Sequence, residues 1–146
     1  MEFYENLETH YDRMTRFNER IKTEKSVLRK WVERYKFQSA LDVACGTGLH
    51  SILLAQMGIK TTGVDISETM LKQARLHGEE FKGEVTWILS SMEELKSNLR
   101  EKHDAIFCLG NSIPHILDVP SLDKTFKNFY EVLNPGGILV IQLLNY

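Results

Sequence analysis

An apolar segment that runs directly into two closely spaced glycines constrains the fold of this chain more than any other feature. Residues 41–51 read Leu-Asp-Val-Ala-Cys-Gly-Thr-Gly-Leu-His-Ser. Gly46 and Gly48 can adopt positive φ and have no Cβ, so the backbone can turn sharply and direct its N–H groups at a ligand. Asp65 closes a second apolar run at the distance, about 20 residues, where a βαβ unit places its ribose-binding acid. The pattern indicates a nucleotide-cofactor loop.

Short apolar runs alternate with amphipathic segments from about residue 40 onward. The runs typical of buried parallel strands are 40–44, 60–64, 85–89, 104–109 and 137–143. Three helices are predicted between them: Gly48 to Met57, then from the N-cap Ser67 to Gly78, then from the N-cap Ser121 to the stop at 134–137. This order predicts an α/β fold, a doubly wound, Rossmann-like parallel sheet with helices on both faces and ligand at the carboxyl ends of the strands.

Each predicted helix has an apolar face that we expect to point inward. The expected inward residues are Leu49, Ile52, Leu53 and Met57 in the first helix, Met70, Leu71 and Ala74 in the second, and Leu122, Phe126, Phe129, Tyr130 and Leu133 in the third.

The chain divides into two parts. Residues 20–36 read as an amphipathic helix, whereas residues 1–19 are polar, aromatic and weakly periodic. The residues of the 20–36 helix that we expect to point inward are Ile21, Leu28, Trp31, Val32 and Tyr35. We therefore expect a helical segment over 1–36 that contributes to the cofactor site, with Tyr4 and Phe17 as anchors, and a cofactor-binding domain over 37–146.

The apolar run 138–144 reads as a central or near-central strand, although the sequence stops at Tyr146. An apolar strand left at the edge of a sheet invites aggregation. The expectation is that the domain continues beyond 146 in a longer chain and lacks here the last strands of the full fold.

Charge and composition restrict the partners. With 18 basic and 20 acidic residues the net charge is −2, which disfavours nucleic acid. No apolar run approaches 18 residues, so no membrane span is expected, and Cys45 and Cys108 fit buried reduced thiols in a cytoplasmic protein. The histidines lack metal-ligand spacing, so no metal is expected. A small-molecule substrate is expected, and a homo-oligomer is left open.

Two residues distinguish between the cofactors that a glycine loop can hold. A dinucleotide fingerprint needs glycine or alanine at the third place, where this chain has Ser51. Asp42 lies within the first strand, four residues before Gly46. A buried acid repels a pyrophosphate but favours the cationic ammonium and sulfonium of S-adenosylmethionine. The alternative is that Asp42 only hydrogen-bonds the loop backbone.

The loop resembles motif I of class I S-adenosylmethionine-dependent methyltransferases. Residues 109–115, Leu-Gly-Asn-Ser-Ile-Pro-His, are similar to the fourth-strand motif of the glycine and sarcosine N-methyltransferase group. The resemblance implies cofactor contacts by the following residues, to which we add Asp42 from its charge and Met70: Arg20, Ala44, Gly46, Gly48, Asp65, Ile66, Ser91, Met92 and Leu109. Arg20 would hold the methionyl carboxylate, Asp65 the ribose hydroxyls, and Leu109 the methionyl ammonium through its carbonyl.

Three further residues are candidates for the catalytic step. Asn111 would orient an acceptor amine. Tyr11 would contact the cationic methyl group with its hydroxyl or ring, or it anchors the N-terminal segment to the domain. His115 is a candidate base, or it packs or caps after the fourth strand. Relatives that methylate glycine carry an arginine where this chain has Leu144, so the cation that would bind an amino-acid carboxylate is missing there.

The sequence thus predicts an S-adenosylmethionine-dependent methyltransferase acting on a small molecule, with an amine nitrogen as the leading acceptor. Three alternatives stay open: an O- or C-methyltransferase on the same fold, an NAD-dependent oxidoreductase, and a regulatory domain that binds the cofactor without turnover.

Overall fold

The computed structural model describes residues 2–109 and 118–143, with side chains over 16–109 and 118–143. The helices are α1 (Glu2–Tyr35), α2 (Leu49–Gln56), α3 (Glu68–Glu80), α4 (Leu95–Asn98) and α5 (Val119–Val132), with a 3₁₀ turn at Met92–Glu94. The strands are β1 (Ser39–Val43), β2 (Lys60–Asp65), β3 (Val85–Leu89), β4 (His103–Cys108) and β5 (Leu133–Ile141). No helix in these ranges is long and apolar enough to cross a membrane.

The five strands form one parallel sheet in the order β3-β2-β1-β4-β5. The chain runs outward from β1 to β3, crosses back over β1 and continues outward through β4 to β5. The order therefore reverses between β1 and β4, and in doubly wound sheets ligands bind at the carboxyl ends of the strands beside such a reversal. The predicted fold class is confirmed.

Two apolar clusters cover the two faces of the sheet, because alternate residues of each buried strand point in opposite directions. One cluster joins the sheet to α1 and α2, with Leu28, Ile52 and Phe107 among its buried members. The other packs beneath α4 and α5, with Leu41, Leu95 and Phe129 among its buried members. The strands predicted at 40–44, 60–64, 85–89 and 104–109 lie within one residue of the observed bounds.

The N-terminal segment forms one helix. α1 runs from Glu2 to Tyr35, so the helix begins well before residue 20, where the amphipathic periodicity starts. The inward prediction is wrong for Tyr35, which is exposed and stacks on Trp31 with Arg34 over its ring. Phe17 is buried, as expected of an anchor.

The helix α5 differs from prediction in its start and in its face. Asp118, not Ser121, is the N-cap, and its carboxylate accepts both the backbone N–H and the hydroxyl of Ser121. Tyr130 is 82% exposed and Phe126 is also exposed, so their predicted inward positions are wrong. The buried stripe instead runs through Thr125, Phe129 and Val132 at helical spacing.

Three smaller predictions also need correction. Gly78 does not end α3, which continues to Glu80; it is buried there, and a Cβ at this position would lie 3.2 Å from the carbonyl oxygen of Gly83. Met70 is exposed rather than inward. β5 begins at Leu133 rather than at residue 137 and passes through a register shift; it lies at the edge of the five described strands.

A tryptophan fills the space beneath the glycine-rich part of the sheet. Asp42, Gly63 and Trp87 are register partners in a row across β1, β2 and β3. The indole of Trp87 lies over Gly63, where a Cβ would approach its ring to 2.5 Å, and reaches Gly48, where a Cβ would approach to 2.6 Å. Both positions must therefore be glycine while Trp87 keeps this orientation.

Replacing Gly63 by alanine tests this packing. Because the added methyl overlaps the indole, we expect Gly63→Ala to lower the free energy of unfolding by about 1–3 kcal/mol, measured by urea denaturation with circular dichroism. The same substitution made in Trp87→Phe should cost less, because the smaller ring can retreat. Equal costs in the two backgrounds would contradict the assigned overlap.

Candidate cofactor site

The loop between β1 and α2 has the unusual backbone that its glycines suggest. Gly46 and Gly48 have φ of 56° and 89°, and Ala44 has φ of 56°, which is strained for a residue with a side chain. The Gly48 N–H donates to the carbonyl of Cys45 at 3.0 Å and closes the turn. A Cβ at Gly46 would meet no atom within 4 Å, so open space borders the loop at this residue.

The carboxylate of Asp65 joins this loop to the next one. One oxygen accepts the N–H of Gly46 at 2.8 Å, and the other accepts the N–H of Ser67 at 2.9 Å. Ser67 is the N-cap of α3, and its hydroxyl in turn accepts the N–H of Met70. Each carboxylate oxygen has two lone pairs. Asp65 is therefore held in a fixed orientation and retains acceptor capacity for a ligand hydroxyl.

Asp42 binds the first turn of α2 through Ser51. Gly48, the N-cap residue, has no side chain to cap the helix, while Asp42 is 2% exposed and accepts the hydroxyl of Ser51 at 2.6 Å. Burial raises the pKa of the Asp42 carboxyl, an effect opposed by the charge of His50 and by hydrogen bonds from the hydroxyl and backbone N–H of Ser51. The observed hydrogen bond of Asp42 is thus to the Ser51 side chain on α2, not to the loop backbone that the alternative named.

The structure brings most of the expected cofactor residues to one edge of the sheet. Their positions follow the ends of β1 to β4: Ala44, Gly46 and Gly48 after β1, Asp65, Ile66 and Met70 at or after the end of β2, Ser91 and Met92 after β3, and Leu109 after β4. Ile66 is 75% exposed although it is apolar, and Met70 is also exposed. An exposed apolar pair beside Asp65 offers a surface on which a flat ring can pack.

The remaining expected residues lie on α1 or outside the described part of the chain. Arg20 is exposed on α1, and within the described part of the chain no carboxylate pairs with its guanidinium. Asn111, His115, Leu144 and the side chain of Tyr11 lie outside the described residues.

Three residues at or near the site were not found from the sequence. Leu89, at the end of β3 and in register with Asp65, is exposed and adds to the apolar surface. Trp87 supports Gly48 from below, and His77 contacts the carbonyl of Thr47. Gly63 within a strand signals a close approach by another group, but it does not reveal which group approaches.

Neither cysteine has the chemistry of a nucleophile. Burial raises the pKa of the Cys108 thiol to about 12, and it also raises the pKa of the half-buried Cys45 thiol, with the nearby carboxylates adding to the effect. Both thiols are therefore protonated at neutral pH, and the thiolate is the reactive form. Among the described residues no cluster of three or more acidic, histidine or cysteine side chains could hold a metal ion.

Comparison with known families identifies the family of the domain. A family model described as a methyltransferase domain matches residues 40–137. The chain therefore belongs to the methyltransferase domain family. A crystal structure of an S-adenosylmethionine-dependent methyltransferase from Clostridium acetobutylicum is similar with a TM-score of 0.75 at 26% identity, over 82% of this chain and 48% of that one.

Within this family the chain is similar to enzymes named for N-methylation. It is 30% identical to the glycine/sarcosine N-methyltransferase of Aphanothece halophytica over 145 residues, 99% of this chain and 55% of that protein. It is 36% identical to the glycine N-methyltransferase of Homo sapiens over 123 residues, 75% of this chain and 41% of that protein. The chain spans about half the length of these curated relatives.

The residues around the loop fit S-adenosylmethionine. Asp42 and Asp65 supply two carboxylates at the edge where a ligand with a sulfonium and an ammonium would bind. The open space at Gly46 admits a ligand against the backbone, and Ile66 offers an apolar surface for the adenine.

A methyl group added at Gly46 would occupy the open space beside the loop. We expect Gly46→Ala to weaken binding of S-adenosylhomocysteine at least tenfold by calorimetry. Gly136→Ala is the matched control, because Gly136 has φ of 79°, has no atom within 4 Å of an added Cβ, and lies at the opposite end of the sheet. Both substitutions should cost about 1 kcal/mol of stability from the strained φ. Equal affinity of the two variants would contradict the site.

The raised pKa of Asp42 predicts a pH-dependent stability. A carboxyl whose pKa is higher in the folded chain than in the unfolded chain stabilises the fold when protonated, and this contribution is lost as the pH rises through the folded value. Asp42→Asn keeps an acceptor for Ser51 without the charge. Its free energy of unfolding relative to the wild type should therefore increase as the pH rises above about 4, the unfolded pKa of aspartate. If the difference in free energy of unfolding between Asp42→Asn and the wild type stays constant between pH 4 and 8, the prediction is wrong.

Proposed function

We propose that this chain transfers the methyl group of S-adenosylmethionine to a small molecule that presents an amine nitrogen. The observation that carries the proposal is the glycine loop, open at Gly46 and fixed by the carboxylate of Asp65, in a chain of the methyltransferase domain family. The amine is supported by the names of the curated relatives, which are N-methyltransferases.

The cofactor supplies an electrophilic methyl group on sulfur, and the task of the protein is to position it. Asp65 would hold the ribose hydroxyls, and the backbone at Gly46 and Gly48 would lie along the methionyl part. Holding donor and acceptor in line at about 3–3.5 Å is worth roughly 7–11 kcal/mol, so geometry supplies much of the catalysis.

The acceptor amine must present a neutral lone pair to the methyl group. Asn111 would orient it through its side-chain amide, Tyr11 would contact the methyl group, and His115 is the candidate base. The proposed acceptor carries no carboxylate, because Leu144 is uncharged at the position where the resemblance to glycine-methylating enzymes implies an arginine. A desolvated carboxylate without a cation is costly.

A panel of small acceptors tests the proposal. The chain is incubated with S-adenosylmethionine and with primary amines, secondary amines, amino acids, alcohols and phenols, and the methylated product and S-adenosylhomocysteine are measured by mass spectrometry. We expect methylation of an amine that has no carboxylate. A methylated hydroxyl would favour the O-methyltransferase, and tight S-adenosylhomocysteine binding without transfer would favour a regulatory domain.

Asp65→Asn provides a matched test of cofactor binding, measured by calorimetry with S-adenosylhomocysteine. Loss of one carboxylate oxygen should weaken S-adenosylhomocysteine binding by more than about 1.5 kcal/mol, which is the scale of charged hydrogen bonds. Asp104→Asn is the control, because Asp104 also accepts two hydrogen bonds, from the N–H of Gln38 and the amide of Asn134, but lies at the amino end of β4. Unchanged affinity in Asp65→Asn would refute the assigned ribose contact.

A further inference from the structure

His77 connects α3 to the glycine loop. The residue lies in the last turns of α3 and is 3% exposed. Its Nδ1 lies 2.9 Å from the carbonyl oxygen of Thr47, 30 residues earlier in the chain. Because a carbonyl oxygen only accepts, Nδ1 carries the hydrogen in this bond. A buried side chain outside the motif thus holds the backbone of the loop that borders the cofactor.

The hydrogen bond fixes a peptide group that could otherwise take two orientations. The carbonyl of the Thr47–Gly48 peptide is held by His77, and its N–H is held by the carbonyl of Cys45. Gly48 tolerates either sign of φ, so the glycine itself does little to prevent a rotation of this peptide. His77 therefore helps to select the observed φ of 89° and keeps the Thr47 carbonyl directed at α3.

α1 holds the imidazole ring in place. The ring of Phe17 lies against His77 with a centroid distance of 4.0 Å and an interplanar angle of 34°, and it also contacts Phe81 at 5.1 Å. Phe17 is buried, so this packing joins α1 to α3. Glu24, two turns further along α1, lies 3.5 Å from His50, which follows Gly48 by two residues. α1 thus contacts His77 on α3 and His50 on α2, the two residues that lie nearest to the glycine loop in these contacts.

We infer that His77 is a positioning residue for cofactor binding. It couples the packing of α1 to the conformation of the glycine loop through its hydrogen bond to Thr47. The inference rests on the proposed function, because the loop is taken to bind S-adenosylmethionine. It assigns to α1 an effect on the cofactor site that needs no direct contact between α1 and the ligand.

Two substitutions separate the hydrogen bond from the ring packing. His77→Asn keeps an N–H donor near the position of Nδ1 but loses the ring against Phe17, whereas His77→Phe keeps a ring and loses the donor. We expect His77→Phe to bind S-adenosylhomocysteine about five- to tenfold more weakly than the wild type, the scale of one hydrogen bond. His77→Asn should stay within about twofold of the wild type, although it loses more thermal stability.

A measurement without cofactor tests the same role independently of the proposed function. Amide hydrogen exchange at Thr47 and Gly48, followed by NMR in the ligand-free chain, should accelerate in His77→Phe and not in His77→Asn. Unchanged exchange in His77→Phe, or affinities that follow thermal stability rather than the presence of the donor, would overturn the inference. Accelerated exchange together with a wild type that does not bind S-adenosylhomocysteine would support the role of His77 and refute the proposed cofactor function.

Discussion

The carboxylate of Asp65 is the contact on which the cofactor edge of this domain depends. β1 and β2 pair in register, so the loops that follow them leave the sheet side by side, and Asp65 accepts one backbone N–H from each. Its second partner, Ser67, begins α3, where the helix dipole also favours a negative charge. One side chain thereby fixes the separation of two loops and keeps a carboxylate at the edge. Because these loops are already ordered in the folded chain, ligand binding does not incur the entropic cost of ordering them.

The glycines near the site are required for two different reasons. Gly48 and Gly63 are glycine because the Trp87 indole lies against them from within the domain, whereas Gly46 faces open space. A large rigid ring beneath the loop and a vacant volume beside it have complementary effects: the first restricts the loop, and the second admits a ligand. Binding loops carried on a rigid scaffold combine position with access in this way. Glycine therefore allows close packing at Gly48 and Gly63, and it leaves room for a ligand at Gly46.

The parts of the structure that depend on local pattern were accessible from the sequence, and those that depend on distant partners were not. The spacing of apolar residues and the positions of the glycines predict the bounds of four strands to within one residue. They also place Asp65 at the end of β2. The N-cap of α5 was misplaced because Asp118 and Ser121, three residues apart, are both favoured N-cap residues. The Asp118 carboxylate accepts both the backbone N–H and the hydroxyl of Ser121, and this makes Asp118 the cap. Tyr130 was misassigned because apolar character does not determine which helix face meets the sheet. His77 carries no local signal, because its partner is 30 residues away.

Charge gives the site a preference that its shape alone would not. Asp42 and Asp65 reach the same edge from neighbouring strands, and the two cysteine thiols near them are kept protonated by burial, so they add no charge. Because burial raises the pKa of Asp42, ionising this carboxyl costs free energy in the ligand-free fold. A cation bound beside it would lower that cost, whereas a pyrophosphate would increase it. Binding of a sulfonium and an ammonium beside Asp42 would therefore be coupled to its ionisation, and this buried acid would favour S-adenosylmethionine over a dinucleotide.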